Sequence, residues 1–166
     1  MRIIAFLYIF SLLSSVLSDK MFSYDKPRTN ATDMKDTIGL TTGGPYTYSQ
    51  SGHHFFGVGY DGTYIDTYGC CSGQSGSCRN NPSCQCQVAV GPLPQGTYSL
   101  GNMMTFKGMP YCYELYPSSS NSMCGRSGFL IHGGGCSGNP SEGCIVIENE
   151  STRYKIKSGS TLKVVY

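Results

Sequence analysis

The chain has 166 residues, a formal net charge of +2 and only 13% charged residues. It is long enough for one domain with a real core, and too weakly basic to point to nucleic acid or an acidic membrane surface as partner. Its 13 tyrosines and 22 glycines describe strands and loops and exclude a helical bundle.

In chain order, Met1-Arg2 is followed by an apolar run from Ile3 to Leu13 and then by Ser14 to Ser18. This is the layout of a secretory signal, with small residues Val16 and Ser18 ahead of the cut. The run is shorter than the roughly 20 residues of a spanning helix, so it is read as a signal rather than an anchor. Residues 1–18 are thus a signal peptide, 19–45 a polar N-terminal arm, and 46–166 a single, mostly β domain of a secreted, extracellular, monomeric protein. Tyr46 to Tyr68 is strand-like, with Thr47-Tyr48-Ser49 and Phe55-Phe56-Gly57-Val58 separated by turn residues. Cys70 to Cys86 is a polar loop with no visible core of its own. Val88-Ala89-Val90 leads into the turn Gly91 to Gly96, and Thr97 to Leu100 reads as a strand. Tyr111 to Tyr116, Gly128 to His132, Cys144 to Ile147 and Leu162 to Val165 complete the strands. Ser151 to Ser158 fits a short helix or a further strand.

All nine cysteines lie after the signal, where export makes disulfides the default. An odd number leaves one for intermolecular pairing or for chemistry. Cys144 is the candidate free thiol, which leaves eight for as many as four bridges. Cys124 and Cys136, flanking the strand that ends at His132, are expected to pair. Zinc-type Cys-X-X-Cys pairs are absent from the sequence, and His53-His54 has no matching ligand spacing. Asn30-Ala31-Thr32 and Asn149-Glu150-Ser151 are glycosylation acceptors.

The chemistry-bearing segment is His132-Gly133-Gly134-Gly135 followed by Ser141-Glu142-Gly143-Cys144. A thiolate attacks carbonyls, and a nearby histidine can take the thiol proton. Alternation puts Phe129 and Ile131 on one strand face and Leu130 and His132 on the other. Cys144 opens the next strand, so a hairpin-like return would bring thiol and imidazole within reach. The N–H groups of Gly143 and Cys144 would then converge as an oxyanion site. A thiolate–imidazolium pair would lower the thiol pKa and keep Cys144 reactive below neutral pH. Ser141 either orients His132 or shapes the loop. Arg126 is a candidate bidentate holder of a substrate carboxylate, and Gly133 and Gly134 let a ligand approach the backbone closely.

Gly125-Arg126-Ser127-Gly128-Phe129-Leu130-Ile131-His132-Gly133, then Ser141-Glu142-Gly143-Cys144-Ile145-Val146, resembles the active-site region of L,D-transpeptidase-like enzymes. The nearest branch is that of antibacterial effectors exported by type VI secretion systems. Arg79-Asn80-Asn81-Pro82 and Val90 to Tyr98 match segments of that branch in the same order. The resemblance implies a catalytic domain over 46–166 that acts on bacterial peptidoglycan stem peptides without metal or organic cofactor. In it, Cys144 is the nucleophile and His132 the base, and the L,D bond of a tetrapeptide is cleaved or exchanged through a thioester. Glu142 stands where classical members usually carry a second histidine, and Val146 where they carry an arginine. Two rival readings are a non-catalytic, disulfide-rich module that binds peptidoglycan and a secreted toxin or inhibitor.

Overall fold

The computed structural model describes residues 43–138 and 140–166. The signal segment, most of the arm and the Asn30 acceptor lie outside the described residues. Nine strands are present among them: β1 (Tyr46–Ser49), β2 (His54–Val58), β3 (Tyr64–Tyr68), β4 (Cys71–Ser72), β5 (Gly96–Phe106), β6 (Met109–Pro117), β7 (Leu130–His132), β8 (Ile145–Val146) and β9 (Thr161–Val165). One helix, α1 (Glu150–Tyr154), and a 3-10 turn at Pro82–Cys84 accompany them. The mostly β expectation holds, and the strands form one curled sheet in the order β3-β2-β1-β9-β5-β6-β7-β8-β4.

One face of this sheet makes the core. Tyr46 and Tyr48 of β1, Phe55, Ile65, Tyr98 and Leu100 all point into it. So do Tyr113 and Leu115 of β6, Phe129, Ile131, Ile145, Ile147, Leu162 and Val164. The alternation is the period-2 pattern of a pleated strand. Phenolic oxygens inside the core are satisfied by backbone: Tyr113 Oη donates to the carbonyls of Arg153 and Ile156, both at 2.9 Å, and Tyr98 Oη to Pro94 at 2.6 Å. These tyrosines are packing residues.

Several expectations are corrected here. β5 and β6 form a long hairpin turning at Lys107 and Gly108, well beyond the Thr97–Leu100 strand read from sequence. Val88 to Val90 is a turn, with Val88 exposed. Of Ser151 to Ser158, the first part is helix, because Asn149 caps it by accepting from the Thr152 N–H at 3.1 Å. Most consequential, β7 and β8 are parallel, with Ile131 opposite Ile145 and His132 opposite Val146. The segment between them is therefore a crossover loop and not a hairpin return.

The disulfides also differ from expectation. Cys71–Cys136, Cys78–Cys84 and Cys86–Cys124 are bridged, with Cα–Cα distances of 5.9, 5.4 and 5.1 Å. Cys124 and Cys136 do not pair with each other; each joins the Cys70–Cys86 loop instead. The cause is topological. The two-residue strand β4 docks on β8 at the sheet edge and carries Cys71 up to the loop that holds Cys136. Cys144 is unbridged as expected, but so are Cys70 and Cys112, which makes three bridges rather than four.

Candidate active site

His132 ends β7 and is buried, 8% exposed. Cys144 lies one residue before β8 and is partly exposed, whereas Cys70 and Cys112 are both buried. The β7–β8 register puts Cys144 opposite Leu130, and the Leu130 N–H donates to its sulfur at 3.3 Å. Leu130, His132, Cys144 and Val146 therefore share the sheet face turned away from the core residues Phe129, Ile131, Ile145 and Ile147. His132 and Cys144 are diagonal neighbours on adjacent strands, about 8 Å apart at Cα from the strand spacing and a two-residue offset. Among the described residues the thiol makes no hydrogen bond to the imidazole; such bonds are often long before substrate binds.

The tautomer of His132 follows from its one hydrogen bond. Nδ1 lies 2.6 Å from the Gly133 carbonyl oxygen, which can only accept, so Nδ1 carries the proton. Nε2 of the neutral ring then has the free lone pair that a base needs. Burial pushes the His132 pKa down, the Gly133 carbonyl pulls it back up, and the charges of Arg153 and Lys107 push it down again. Burial pushes the Cys144 thiol up, as does Glu142, while the Leu130 N–H and the Arg126 charge act against it. Both shifts favour uncharged groups. They act against the ion pair expected from the sequence.

Segment 141–144 is held on all sides. Ser141 Oγ donates to the Cys144 carbonyl at 2.8 Å and accepts the Gly73 N–H at 3.3 Å, so Ser141 shapes the loop rather than orienting His132. Ser72 Oγ of β4 donates to the Gly143 carbonyl at 2.8 Å. Gly143 sits at φ +120°, and a Cβ there would lie 2.4 Å from Arg126 Nη2 and 2.6 Å from Phe129 Cε1. Glycine is thus required on both conformational and steric grounds. Among the described residues neither the Gly143 nor the Cys144 N–H has a protein acceptor.

Arg126 behaves differently from the carboxylate holder read from sequence. Its Nη1 donates to the carbonyls of Gln85 (2.5 Å) and Pro92 (2.7 Å). Its Nη2 donates to those of Gly91 (2.9 Å) and Glu142 (2.7 Å), and the guanidinium stacks on the Phe129 ring at 5.0 Å. All four terminal N–H groups are committed, so Arg126 fixes the loops around Cys144 and has no fork left for a ligand. Gly133 is likewise filled from within: a Cβ there would meet Arg153 Nη2 at 2.7 Å. Gly134 is exposed and remains open to a ligand.

Sequence reasoning missed three residues. Arg153 of α1 is buried and donates through Nη1 to the carbonyls of Ile147 (2.7 Å) and Glu148 (2.9 Å), bracing the far end of β8. Cys112 of β6 is the next residue after the Tyr113–Ile131 pair, and so flanks His132 across the sheet. Asn80 sits at φ +55° and ties β4 down, accepting the Ser72 N–H at 2.7 Å and the Tyr48 hydroxyl at 2.6 Å. Its one signal in the sequence is its place in Arg79-Asn80-Asn81-Pro82. His54 is spent elsewhere, bonded to Asp66 at 2.5 Å and stacked on Tyr68 at 4.0 Å. No group of three or more His, Cys, Asp or Glu residues able to hold a metal occurs among the described residues. No described helix is long and apolar enough to cross a membrane.

The described residues form a disulfide-braced β domain with an unbridged thiol and an imidazole on one sheet face. The chain is a member of the Tlde1 domain family, whose model matches residues 66–165. Membership supports the effector branch of the resemblance. No match was found among curated proteins. Among solved structures, Bdellovibrio bacteriovorus Bd1075 aligns with a TM-score of 0.45 at 15% identity, over 71% of this chain and 46% of that one. The chain thus spans less than half of that relative, and the likeness is too loose to inform the chemistry. The three disulfides accord with an oxidising, extracellular setting.

Proposed function

We propose that the protein is a secreted cysteine enzyme that cleaves or exchanges the L,D bond of peptidoglycan stem tetrapeptides. The observation that supports this most is that Cys144 is the one partly exposed free thiol, on the same sheet face as an imidazole whose Nε2 is unprotonated. Substrate binding closes the thiol–imidazole gap, and Nε2 takes the Sγ proton as sulfur attacks the carbonyl carbon of the diamino acid. The N–H groups of Gly143 and Cys144 receive the developing oxyanion. The C–N bond to the terminal D-alanine breaks, and its amine leaves with the imidazolium proton, forming a thioester on Cys144. Water, activated by His132, then hydrolyses the thioester to a carboxylate and restores the thiol; an amine in place of water gives exchange or cross-linking.

Peptidoglycan fragments incubated with the protein and analysed by mass spectrometry should lose terminal D-alanine from tetrapeptides. Cys144→Ala should release none while keeping the far-UV circular dichroism of the parent. Release by that variant, or its failure to fold, overturns the reading.

A further inference from the structure

Arg153 is 3% exposed, yet no carboxylate pairs with it among the described residues. Its terminal nitrogens donate to carbonyls alone: Nη1 to Ile147 (2.7 Å) and Glu148 (2.9 Å), Nη2 to Pro110 at 3.4 Å. A guanidinium keeps its charge in such a place, so a full positive charge is buried and offset only by dipoles. An uncharged side chain could brace β8 without taking an ion out of water. Bracing alone does not account for the residue.

Both residues that hold His132 are in contact with this guanidinium. The Ile147 N–H donates to the His132 carbonyl at 3.0 Å, and the Ile147 carbonyl accepts from Arg153 Nη1. Gly133, whose carbonyl lies 2.6 Å from His132 Nδ1, turns its open side to the same group. A Cβ on Gly133 would stand 2.7, 2.8 and 3.0 Å from Arg153 Nη2, Cζ and Nη1. Gly133 is not in the left-handed region, so glycine serves here to admit the guanidinium and not to make a turn. The titratable and charged groups around the ring are Cys112 and Glu114 on β6, Cys144 before β8, Glu148 beyond it, Lys107 at the β5–β6 turn and Arg153 of α1. The charges that bear on the ring are those of Arg153 first and Lys107 second, and both oppose the imidazolium.

The geometry points to Arg153 as the positioning residue of the base: it fixes the Ile147 and Gly133 peptides that orient His132, and it sets a buried positive charge beside the ring. The inference rests on the proposed function, in which His132 takes the Sγ proton and passes it to the amine of the departing D-alanine. With the Gly133 carbonyl held, Nδ1 keeps its proton and Nε2 is left as the base. The neighbouring charge keeps Nε2 ready to accept under mildly acidic conditions. Once the imidazolium has formed, the same charge drives its proton on to the amine nitrogen.

Nitrogen-15 NMR of the histidine rings reads this without turnover. In the unaltered protein His132 should carry its proton on Nδ1 and titrate below the ordinary imidazole value of about 6.5. Arg153→Gln keeps an amide donor for the carbonyls and removes the charge. His132 should then titrate about half a pH unit or more higher, and the acid limb of D-alanine release should move up with it. Arg153→Lys keeps the charge and loses the planar fork. There the midpoint should stay near that of the parent, while both ring tautomers appear and kcat falls about tenfold with KM little changed. Lys107→Gln, at the exposed turn, should move the midpoint less than Arg153→Gln does. The inference is overturned by an unmoved midpoint in Arg153→Gln, by a larger move in Lys107→Gln, or by parent-like tautomer and kcat in Arg153→Lys. Failure of both Arg153 variants to fold, read by circular dichroism, overturns it too, since Arg153 would then be a framework residue only. The expected NMR changes without any D-alanine release by the parent would instead sink the proposed reaction and leave the hold of Arg153 on His132 standing.

Discussion

Replacing Gly143 by alanine is the sharpest probe of how the loop before Cys144 is held. The new Cβ would fall 2.4 Å from Arg126 Nη2, 2.6 Å from Phe129 Cε1 and 3.2 Å from the Gly91 carbonyl, on a residue at φ +120°. None of these atoms is the free end of a flexible side chain, since Arg126 is fixed by four carbonyls and stacked on Phe129. The backbone strain costs about 1–3 kcal/mol. Displacing Nη2 from even one of its two carbonyls costs about 1.5–3 kcal/mol more, because the donor is charged and buried. A loss of about 4 kcal/mol should lower Tm by about 10 °C or more in a domain of this size. Thermal unfolding followed by circular dichroism measures it, and the rate of Cys144 alkylation by iodoacetamide reports whether the thiol has shifted. Gly135→Ala is the control: its nearest foreign atom would be Glu148 Oε1 at 3.7 Å, and about 0.5 kcal/mol or less is expected. If Gly143→Ala melts within about 2 °C of the parent and alkylates at the same rate, Arg126 does not clamp this loop.

The opposed shifts of Cys144 and His132 set the expected pH behaviour. Because burial raises the Cys144 pKa, alkylation should be slow at neutral pH and climb above the ordinary thiol value of about 8.5; rapid alkylation below neutrality would restore the ion pair. Because burial lowers the His132 pKa, D-alanine release should persist at pH values below an ordinary imidazole's, about 6.5, before falling. The same depressed value makes the folded state favour neutral His132, so the stability present above about pH 6.5 is lost as pH falls through the folded value. His132→Ala should flatten this acid loss in a series of melts, and an unchanged slope would place the titration elsewhere. Replacing Cys71 and Cys136 together by serine opens a cross-link of sequence separation 65. Chain entropy alone puts the cost at about 4 kcal/mol, and a denaturant midpoint shift well short of that would mean the loop is held without the bridge.

Much of the site could be read from the chain because it lies on short strands with strict alternation. Phe129 and Ile131 are apolar and face the core, and His132 falls on the other face by counting alone. The direction of the next strand could not be read that way. β8 has two residues, too few for a period, and whether it runs parallel or antiparallel to β7 depends on where the intervening loop crosses. The bridges were hidden for the same reason, since Cys71 meets Cys136 only after β4 has docked at a sheet edge far along the chain. Arg126 and Arg153 illustrate a further limit. A buried arginine is unexpected from composition and becomes favourable only where several carbonyls converge, a property of the assembled loops and not of neighbouring residues.

The position of β9 has a consequence for how this protein comes into being. Synthesised after all its neighbours, it lies between β1 and β5, parallel to one and antiparallel to the other. Until it is made, β3-β2-β1 and β5-β6-β7-β8-β4 share no strand pairing, and Leu162 and Val164 are missing from the core between them. A chain still lacking Thr161–Val165 therefore has no continuous sheet to collapse onto. Such distant pairing folds slowly, so the two parts of the sheet join late in folding. The sheet becomes continuous when β9 takes its place between β1 and β5.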